Sequence, residues 1–318
     1  MPRPSPEQLV EATRAGDRSA LARVLSVVER GGEAARAVGR SLHGQVGDAY
    51  TVGITGAPGA GKSTLTSALV DLVRGGGERV AVLAIDPSSP FTGGAILGDR
   101  VRMGDHALDD GVFIRSMATR GHLGGLAVAA PEAVRVLAAA GYPWVLLETV
   151  GVGQVEVEVV GQADTTMVVL NPGWGDAVQA NKAGLLEIAD VFVVNKADRP
   201  GADETARDIG RMLDMANVAG WRPPVVQATA PTGEGVTDVW QAVRDHRAHA
   251  EAAGELAERR RRRAGEEVTR LVAARLTERA RAATTGARGR ELAAAVAAGE
   301  VDPWTAADEL LAGPESPA

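Results

Sequence analysis

Residues 56–63 read Gly-Ala-Pro-Gly-Ala-Gly-Lys-Ser and match the pattern G-x-x-x-x-G-K-[ST] at every fixed position. An apolar run at 50–54 precedes this stretch, and a helical pattern at 64–74 follows it. The order strand, loop, helix is typical of a phosphate-binding P-loop, in which glycines let several backbone N–H groups point at one anion. The alternative, a glycine-rich turn that fits the pattern by chance, requires the fixed positions of this eight-residue pattern to agree by accident between a strand pattern and a helix pattern.

The residues of this loop have distinct tasks in holding a nucleoside triphosphate. Lys62 supplies a positive charge for the β- and γ-phosphates, and the Ser63 hydroxyl can ligate Mg²⁺. The helix that follows adds the favourable field of its N-terminus. The nucleotide contacts that the motif predicts are Gly56, Ala57, Pro58, Gly59, Ala60, Gly61, Lys62, Ser63 and Thr64.

The composition of the 318-residue chain indicates a globular protein of one large domain with appendages, or of two domains. Apolar residues make up 45% of the chain and aromatic residues 3%, so the core must consist of Val, Leu, Ala and Ile. The net charge of −7 argues against non-specific nucleic-acid binding. The absence of cysteine excludes disulfides, zinc–thiolate sites and thiol nucleophiles. Because neither a signal peptide nor a run of about 18 apolar residues is present, we expect a cytoplasmic protein that does not enter a membrane.

Short apolar runs alternate with helical patterns between residues 50 and 247. Most of the runs are continuous and rich in Val, as strands buried on both faces are. This order predicts an α/β P-loop NTPase with a mostly parallel sheet and helices on both faces. The predicted strands are Tyr50–Ile54, Val80–Ile85, Val112–Arg115, Trp144–Leu147, Thr166–Leu170, Val191–Val194 and Val225–Ala228, and the predicted helices between them are 64–74, 126–140, 179–187, 203–219 and 236–252.

Helical segments flank this domain on both sides. Residues 7–43 show helical spacing in two pieces that Gly31-Gly32 separates, and after Gly254 the sequence becomes charged and helical. We therefore predict an N-terminal helical extension at 1–47, a P-loop GTPase domain at 48–252 and a C-terminal helical arm at 253–318. The arm is too thin to bury a core alone, so we expect it to pack on the main domain or on a second subunit.

Several features near the C-terminus are predicted to be structural. Residues 259–263 are five consecutive arginines with glutamates nearby, and we interpret them as a solvated helix face rather than an anion-binding patch. Of the five histidines only His246 and His249 lie three residues apart, and we expect both to be exposed on a helix. The arm also carries an apolar stripe, formed by Val268, Leu271, Val272 and Leu276.

A second motif, Asn195-Lys196-Ala197-Asp198, follows a predicted strand and fits N-K-x-D. A carboxylate such as that of Asp198 can accept hydrogen bonds from the N1–H and N2–H₂ groups of guanine. Adenine offers no such pair of donors on that edge, so the site discriminates against ATP. The motif predicts GTP or GDP as the ligand, whereas the alternative is a strand end that runs into a charged turn.

The segment Gln227-Ala228-Thr229-Ala230 follows a further predicted strand. In GTPases a short Ser/Thr-Ala loop at this place offers a backbone N–H to the guanine O6. We therefore predict that Thr229 and Ala230 contact the base, and the alternative is a simple turn.

Oxygen-bearing side chains follow two of the predicted strands, where they could bind Mg²⁺. Glu148 opens Glu148-Thr149-Val150-Gly151, which has the D-x-x-G shape of a γ-phosphate sensor with Glu in place of Asp. Its carboxylate would hold metal-bound water, and the Gly151 N–H would meet the γ-phosphate. Lys62, Glu148 and Gly151 are thus the predicted catalytic residues. The candidate metal ligands are Ser63, Asp86, Asp99 and Glu148, of which Asp86 and Asp99 have cap or turn carboxylates as the alternative.

Three longer stretches resemble the MeaB family of methylmalonyl-CoA mutase-associated GTPases, also called the ArgK type. They are residues 86–103 (Asp-Pro-Ser-Ser-Pro-Phe-Thr-Gly-Gly-Ala-Ile-Leu-Gly-Asp-Arg-Val-Arg-Met), residues 148–154 (Glu-Thr-Val-Gly-Val-Gly-Gln) and residues 175–190. The likeness extends over nearly the whole chain. One departure is Pro231, where the family usually has a bulkier aliphatic residue, and it weakens the base contact predicted beside it.

The resemblance implies the fold that signal-recognition and nickel-insertion GTPases share, and a homodimer joined through the C-terminal arm. It also implies that Asp86, Asp99 and Glu148 are the carboxylates of the metal shell and the switches.

The resemblance further implies a third switch around Asp176, Gln179 and Lys182, which couples the GTP state to a partner. That partner would be an adenosylcobalamin-dependent acyl-CoA mutase. The GTPase would gate the loading of the mutase cofactor and protect the mutase from inactivation.

These observations favour a Mg²⁺-dependent GTPase that acts as a chaperone of such a mutase. Because no Gln or Arg finger can be named that positions the attacking water, we expect slow intrinsic hydrolysis that the partner accelerates. One alternative is an ATP-using kinase or ATPase of a periplasmic amino-acid transport system, against which the N-K-x-D motif argues. Another is a nucleotide-gated scaffold that does not hydrolyse.

Overall fold

The computed structural model describes residues 4–44, 48–86, 106, 108–118, 125–149, 161–173, 188–216 and 220–312. The helix predicted at 179–187 lies outside these residues. The chain divides into two compact units, residues 1–261 and 262–318.

Seven strands form one parallel sheet within the described part of the first unit. Their spatial order is β3-β2-β4-β1-β5-β6-β7. Each predicted strand is present, and most extend one or more residues beyond the predicted ends. The strands are β1 Tyr50–Gly56, β2 Val80–Asp86, β3 Val112–Ala118, β4 Trp144–Thr149, β5 Thr165–Leu170, β6 Val191–Asn195 and β7 Val225–Ala228.

Helices cover both faces of the sheet, as the continuous apolar runs predict. The helices are α1 Pro6–Arg14, α2 Arg18–Arg30, α3 Gly32–Leu42, α4 Lys62–Gly75, α5 Gly125–Ala139, α6 Ala202–Met215, α7 Val236–Ala252, α8 Glu255–Thr285, α9 Ala287–Ala297 and α10 Pro303–Ala312. One face packs against α4 and α7, and the other packs against α5 and α6. The prediction of an α/β fold with helices on both sides is therefore confirmed.

The N-terminal extension consists of three helices, whereas the sequence predicted two pieces. The extra break lies at Gly16, whose φ of 93° favours glycine, and the next helix begins because the Asp17 carboxylate caps the Ser19 and Ala20 N–H groups. The break predicted at Gly31 is present as well, where φ is 71°.

The extension packs on α5 and on the edge of the sheet. Val24 and Leu25 are fully buried in the same cluster as Ala133 of α5. Burial of side chains of this size contributes about 1.5–3 kcal/mol each, so the extension shares the core of the first unit. An ion pair of 2.8 Å between Arg115 Nη2 and Glu29 Oε2 adds a link from β3 to α2.

The interpretation of residues 259–263 as a solvated face is wrong for two of the five arginines. Arg259 Nη1 lies 2.9 Å from Asp190 Oδ1, and Arg260 Nη2 lies 2.8 Å from Asp164 Oδ2. Both aspartates are buried where they precede β5 and β6, and a buried carboxylate needs a cationic or hydrogen-bonding partner. Arg261 is exposed, as predicted, and pairs with Glu258.

The prediction that His246 is exposed is also wrong. The residue is fully buried, with Nδ1 2.8 Å from Thr165 Oγ1 and Nε2 3.2 Å from Asp190 Oδ1. It follows the buried Val239 and Val243 at helical spacing, so it lies on the inner face of α7. That spacing is visible in the sequence and could have identified it.

In the second unit, α9 and α10 pack together, and Arg288 Nε donates a hydrogen bond of 2.6 Å to Glu309 Oε1.

Over the described residues, none of the helices has the length and apolar character needed to cross a bilayer.

Candidate functional site

The carboxyl ends of the parallel strands bring together, at one edge of the sheet, those predicted site residues that the structure describes. The P-loop leaves β1 there, Glu148 lies near the end of β4, and Asn195 ends β6. The loop that contains Thr229 and Ala230 leaves β7 at the same edge.

The glycines of the P-loop allow the backbone to approach its neighbours closely. A Cβ at Gly56, where φ is 141°, would lie 1.9 Å from the Val169 carbonyl oxygen. A Cβ at Gly61, where φ is 89°, would lie 2.4 Å from Asn195 Nδ2. Side chains at these two positions would therefore displace the loop, and α4 begins directly after Gly61.

Lys62 is buried beneath the loop. Its Nζ donates hydrogen bonds to the carbonyl oxygens of Gly56 at 2.7 Å and Ala57 at 3.0 Å. A charged amine is thus held inside the curl of the P-loop, at the N-terminus of α4, where the motif predicts the phosphates.

Asn195 joins the P-loop to the β7 loop. Its Nδ2 donates to the Ala60 carbonyl oxygen at 2.8 Å, and its Oδ1 accepts from the Ala230 N–H at 3.2 Å. Both bonds are buried, so one amide side chain fixes the distance between the two loops. The sequence predicted Asn195 as a nucleotide contact but did not predict this bridging role.

Lys196 makes a second link to the P-loop. Its φ of 58° lies in the left-handed region, and its Nζ donates a hydrogen bond of 2.7 Å to the Gly59 carbonyl oxygen. The following residue, Ala197, donates its N–H to the Ala228 carbonyl oxygen at 3.0 Å. These bonds fold the N-K-x-D segment back over the loop, and the Asp198 carboxylate is exposed beyond it.

The β7 loop is compact and internally bonded. The Thr229 N–H donates to the Glu234 carbonyl oxygen at 2.9 Å, and the Thr232 hydroxyl donates to the Thr229 carbonyl oxygen at 3.1 Å. Because Asn195 Oδ1 accepts a hydrogen bond from the Ala230 N–H, the Asn195 side chain stabilises the loop. A base contact made by the Ala230 N–H itself competes with that bond.

Ser63 and Glu148 form an oxygen-rich pair beside the P-loop. Ser63 Oγ lies 2.5 Å from Glu148 Oε1, and Glu148 is 3% exposed. A hydroxyl and a carboxylate at this spacing fit the oxygen ligands that Mg²⁺ prefers. No group of three or more His, Cys, Asp or Glu side chains that could hold a metal occurs among the described residues.

Several predicted site residues lie outside the described residues. They are Asp99, Gly151, Asp176, Gln179, Lys182 and the side chain of Asp86. Their predicted roles stay predictions.

Two buried threonines at this edge of the sheet, Thr55 and Thr149, were not predicted as site residues. Thr149 Oγ1 lies 3.2 Å from Thr55 Oγ1. The signal in the sequence is a threonine near the carboxyl end of each of two neighbouring strands.

Comparison with known proteins shows the family of the chain. The family model described as methylmalonyl Co-A mutase-associated GTPase MeaB matches residues 21–285. The chain is 48% identical to a putative GTPase of Pyrococcus abyssi over 309 residues, which cover 96% of this chain and 95% of that protein. It is 39% identical to the GTPase ArgK of Escherichia coli over 258 residues, 78% of this chain and 77% of that one.

A solved structure gives the same result for the fold. The crystal structure of a LAO/AO transport system kinase superposes with a TM-score of 0.71 at 25% identity, over 98% of each chain. Since the family model spans most of the chain and agrees with the resemblance seen in the motifs, the protein belongs to the MeaB family of methylmalonyl-CoA mutase-associated GTPases.

Proposed function

We propose that this GTPase is a chaperone of an adenosylcobalamin-dependent acyl-CoA mutase, with methylmalonyl-CoA mutase the first candidate. Cycles of GTP·Mg²⁺ binding and hydrolysis would gate the loading of the mutase cofactor and protect the mutase from inactivation. The protein would act in the cytoplasm as a homodimer, with residues 253–318 as the dimerisation arm.

The single observation that carries the nucleotide part is the bridge made by Asn195. It holds the P-loop, which would bind the phosphates, at a fixed distance from the β7 loop, which would border the base. Two separate motifs are thereby joined into one cradle. Asp198 would accept the guanine N1–H and N2–H₂ groups, and Lys196 would cover the base from the P-loop side.

At the phosphate end, the charge of Lys62 is the main contribution of the protein. Its Nζ, now bonded to the carbonyls of Gly56 and Ala57, would turn to the β- and γ-phosphate oxygens as stronger acceptors. The N–H groups of the loop and of Thr64, at the start of α4, would bind the same oxygens.

Ser63 and Glu148 would hold Mg²⁺, with Asp86 and Asp99 as further proposed ligands. When bound, the ion neutralises negative charge on the phosphate oxygens. The Glu148 carboxylate would orient a metal-bound water, and the Gly151 N–H would report the presence of the γ-phosphate. Intrinsic hydrolysis of GTP would be slow, because the motifs identify no arginine finger that could stabilise the transition state.

The family description supports the mutase partner. A purified adenosylcobalamin-dependent methylmalonyl-CoA mutase, incubated under turnover, tests it directly. We expect the mutase to stay active for longer when this protein and GTP are added together, and we expect it to raise the rate of GTP hydrolysis. The matched control is the Lys62→Ala variant, which should give no protection. Equal loss of mutase activity with and without this protein would contradict the chaperone role.

The likeness to the LAO/AO transport system kinase favours a second candidate, an ATP-using kinase of a transport system. The N-K-x-D segment opposes it, because Asp198 would have no donor pair to accept from adenine. Titration with GTP and with ATP separates the two functions. Tighter binding of ATP would favour the kinase.

A further inference from the structure

The strands that carry the P-loop and Glu148 separate at the nucleotide edge of the sheet. β1 and β4 are paired as far as Ile54 and Glu148. Beyond this point β1 continues along β5, with Gly56 opposite Val169, while β4 continues along β2, with Thr149 opposite Ile85. Over the described residues, the register between the two strands therefore ends one residue before Thr55 and Thr149.

The side chain of Thr149 spans this fork, the place where β1 and β4 diverge. Thr149 Oγ1 donates towards two acceptors on β1, the Thr55 hydroxyl oxygen at 3.2 Å and the Ile54 carbonyl oxygen at 3.4 Å. Ile54, Thr55 and Thr149 are all fully buried. The hydroxyl thus adds a side-chain connection between β1 and β4 beyond the last residue pair of their register.

We propose that Thr149 is a positioning residue that sets the distance between Ser63 and Glu148. Glu148 is its neighbour in the chain and projects to the opposite face of the sheet, towards α4, where Ser63 Oγ lies 2.5 Å from Glu148 Oε1. The hydrogen bond from Thr149 to β1 fixes the backbone of β4, from which the Glu148 carboxylate projects. Without it, the end of β4 follows β2 and moves away from the P-loop.

Thr149 also connects β1, β2 and β4, the three strands that lead to the candidate metal ligands Ser63, Asp86 and Glu148. Its backbone is paired with Ile85, the residue before Asp86, and its hydroxyl contacts the strand that leads to Ser63. Residues behind the ligands of a metal orient them, and their removal typically weakens metal binding about 10- to 100-fold. The inference rests on the proposed magnesium site and is independent of the mutase partner.

The test uses the full chain with GDP bound and measures Mn²⁺ affinity by electron paramagnetic resonance, together with the Mg²⁺ concentration for half-maximal GTP turnover. Thr149→Val keeps the shape of the side chain and removes the hydroxyl, whereas Thr149→Ser keeps the hydroxyl. We expect Mn²⁺ affinity to fall about tenfold in Thr149→Val and to stay near the parent value in Thr149→Ser.

Thr165→Val is the matched control for the general cost of losing a buried threonine hydroxyl. Thr165 is fully buried at the other end of the same sheet, where its hydroxyl contacts Tyr50 and His246. It should lower the unfolding temperature while leaving Mn²⁺ affinity unchanged. If Thr149→Val does not fold, Thr55→Val removes the acceptor from the opposite side of the fork and should weaken Mn²⁺ binding in the same direction.

Parent-like Mn²⁺ affinity in a folded Thr149→Val or Thr55→Val variant would overturn the inference, as would an equal loss in Thr165→Val. If the parent protein with GDP binds no Mn²⁺, the magnesium site itself is wrong and the inference with it. The two failures are therefore distinguishable from each other.

Discussion

Asn195 contributes more to the geometry of the site than its place in a four-residue motif indicates. Its amide group satisfies a carbonyl of the P-loop and an N–H of the β7 loop, and both bonds are buried. Removal of such a group leaves a donor and an acceptor unpaired, which costs about 1–3 kcal/mol for each.

Asn195→Ala should therefore weaken the binding of GTP and of GDP alike, by about tenfold or more, because both nucleotides need the two loops in register. Isothermal titration calorimetry with each nucleotide measures the effect. Asn171→Ala, directly after the neighbouring strand β5, is the matched control and should bind as the parent does. Unchanged affinity in Asn195→Ala would show that the bridge does not shape the site.

The two lysines that contact the P-loop should differ in kinetics. Lys62→Ala removes charge from the phosphates in the transition state, so we expect GTP turnover to fall about 100-fold or more at saturating GTP. Lys196→Ala removes a contact to Gly59 and should raise KM while sparing kcat. Steady-state assays over a range of GTP concentrations separate these effects, and an equal loss of kcat in both variants would contradict the assignment.

At the level of elements, the start of α8 is attached to the sheet by ion pairs to two buried aspartates. Asp190, at the start of β6, accepts hydrogen bonds from Arg259 and from the Thr166 N–H, and it lies beside His246. Burial alone would raise the pKa of the Asp190 carboxyl, but His246, Arg259 and the Thr166 amide hold it below its ordinary value of 3.8.

Asp190→Asn should lower the free energy of unfolding by about 3 kcal/mol at neutral pH, because it removes one member of a buried charged group. Urea denaturation followed by circular dichroism measures the change. Asp208→Asn, on the exposed side of α6, is the control and should cost well under about 1 kcal/mol.

The pH dependence of this effect has a defined sign. A carboxyl whose pKa is lower in the folded state stabilises the fold above its unfolded pKa, and that stabilisation is lost as the pH falls through the folded pKa. The difference between the parent and Asp190→Asn should therefore be constant near neutral pH and shrink once the pH falls below about 4. A difference that grows on acidification would contradict the lowered pKa of Asp190.

The sequence predicted the elements well where a single physical cause determines them. The strands were found because residues buried on both faces leave continuous apolar runs, and β6 reads Val-Phe-Val-Val-Asn for this reason. His246 and Arg259 were misjudged because each is polar in isolation. The ion pair of Arg259 with Asp190 joins residues that lie far apart along the chain, and no local pattern contains such a pairing. The burial of His246, by contrast, is indicated by its helical spacing from Val239 and Val243.

At the scale of the whole molecule, helix α8 carries an exposed apolar stripe within the second unit. Val268, Leu271, Val272 and Leu276 of α8 are each between 41% and 61% exposed. We propose this stripe as the contact of the proposed homodimer, because residues at this spacing share one face of a helix.

Replacement of Leu271 and Leu276 together by Glu should convert the dimer to a monomer, since two charges at the centre of an apolar contact are costly to desolvate. Size-exclusion chromatography with light scattering gives the mass directly. Thr277→Glu, on the exposed side of α8, is the control and should leave the mass unchanged. A parent protein that is monomeric at micromolar concentration would rule out the proposed arm contact.

The composition of the site was more predictable than its internal bonding. The P-loop and N-K-x-D motifs identify residues such as Lys62 and Asn195 because phosphate and guanine chemistry demand those side chains at fixed spacing. The bonds from Asn195 to Ala60 and from Thr149 to Thr55 connect segments that are distant along the chain. Such contacts depend on which strands lie side by side in the folded sheet, and local patterns in a single sequence do not give that order.

We propose that one pocket binds a nucleoside triphosphate and recognises guanine through Asp198. Dissociation constants of GTP and ATP, measured side by side for the parent protein, Asp198→Asn and the surface control Asp208→Asn, test it most directly. We expect the parent and the control to prefer GTP by about 100-fold or more, and we expect Asp198→Asn to lose most of that preference. Selectivity for GTP that survives unchanged in Asp198→Asn would show that Asp198 does not recognise the base.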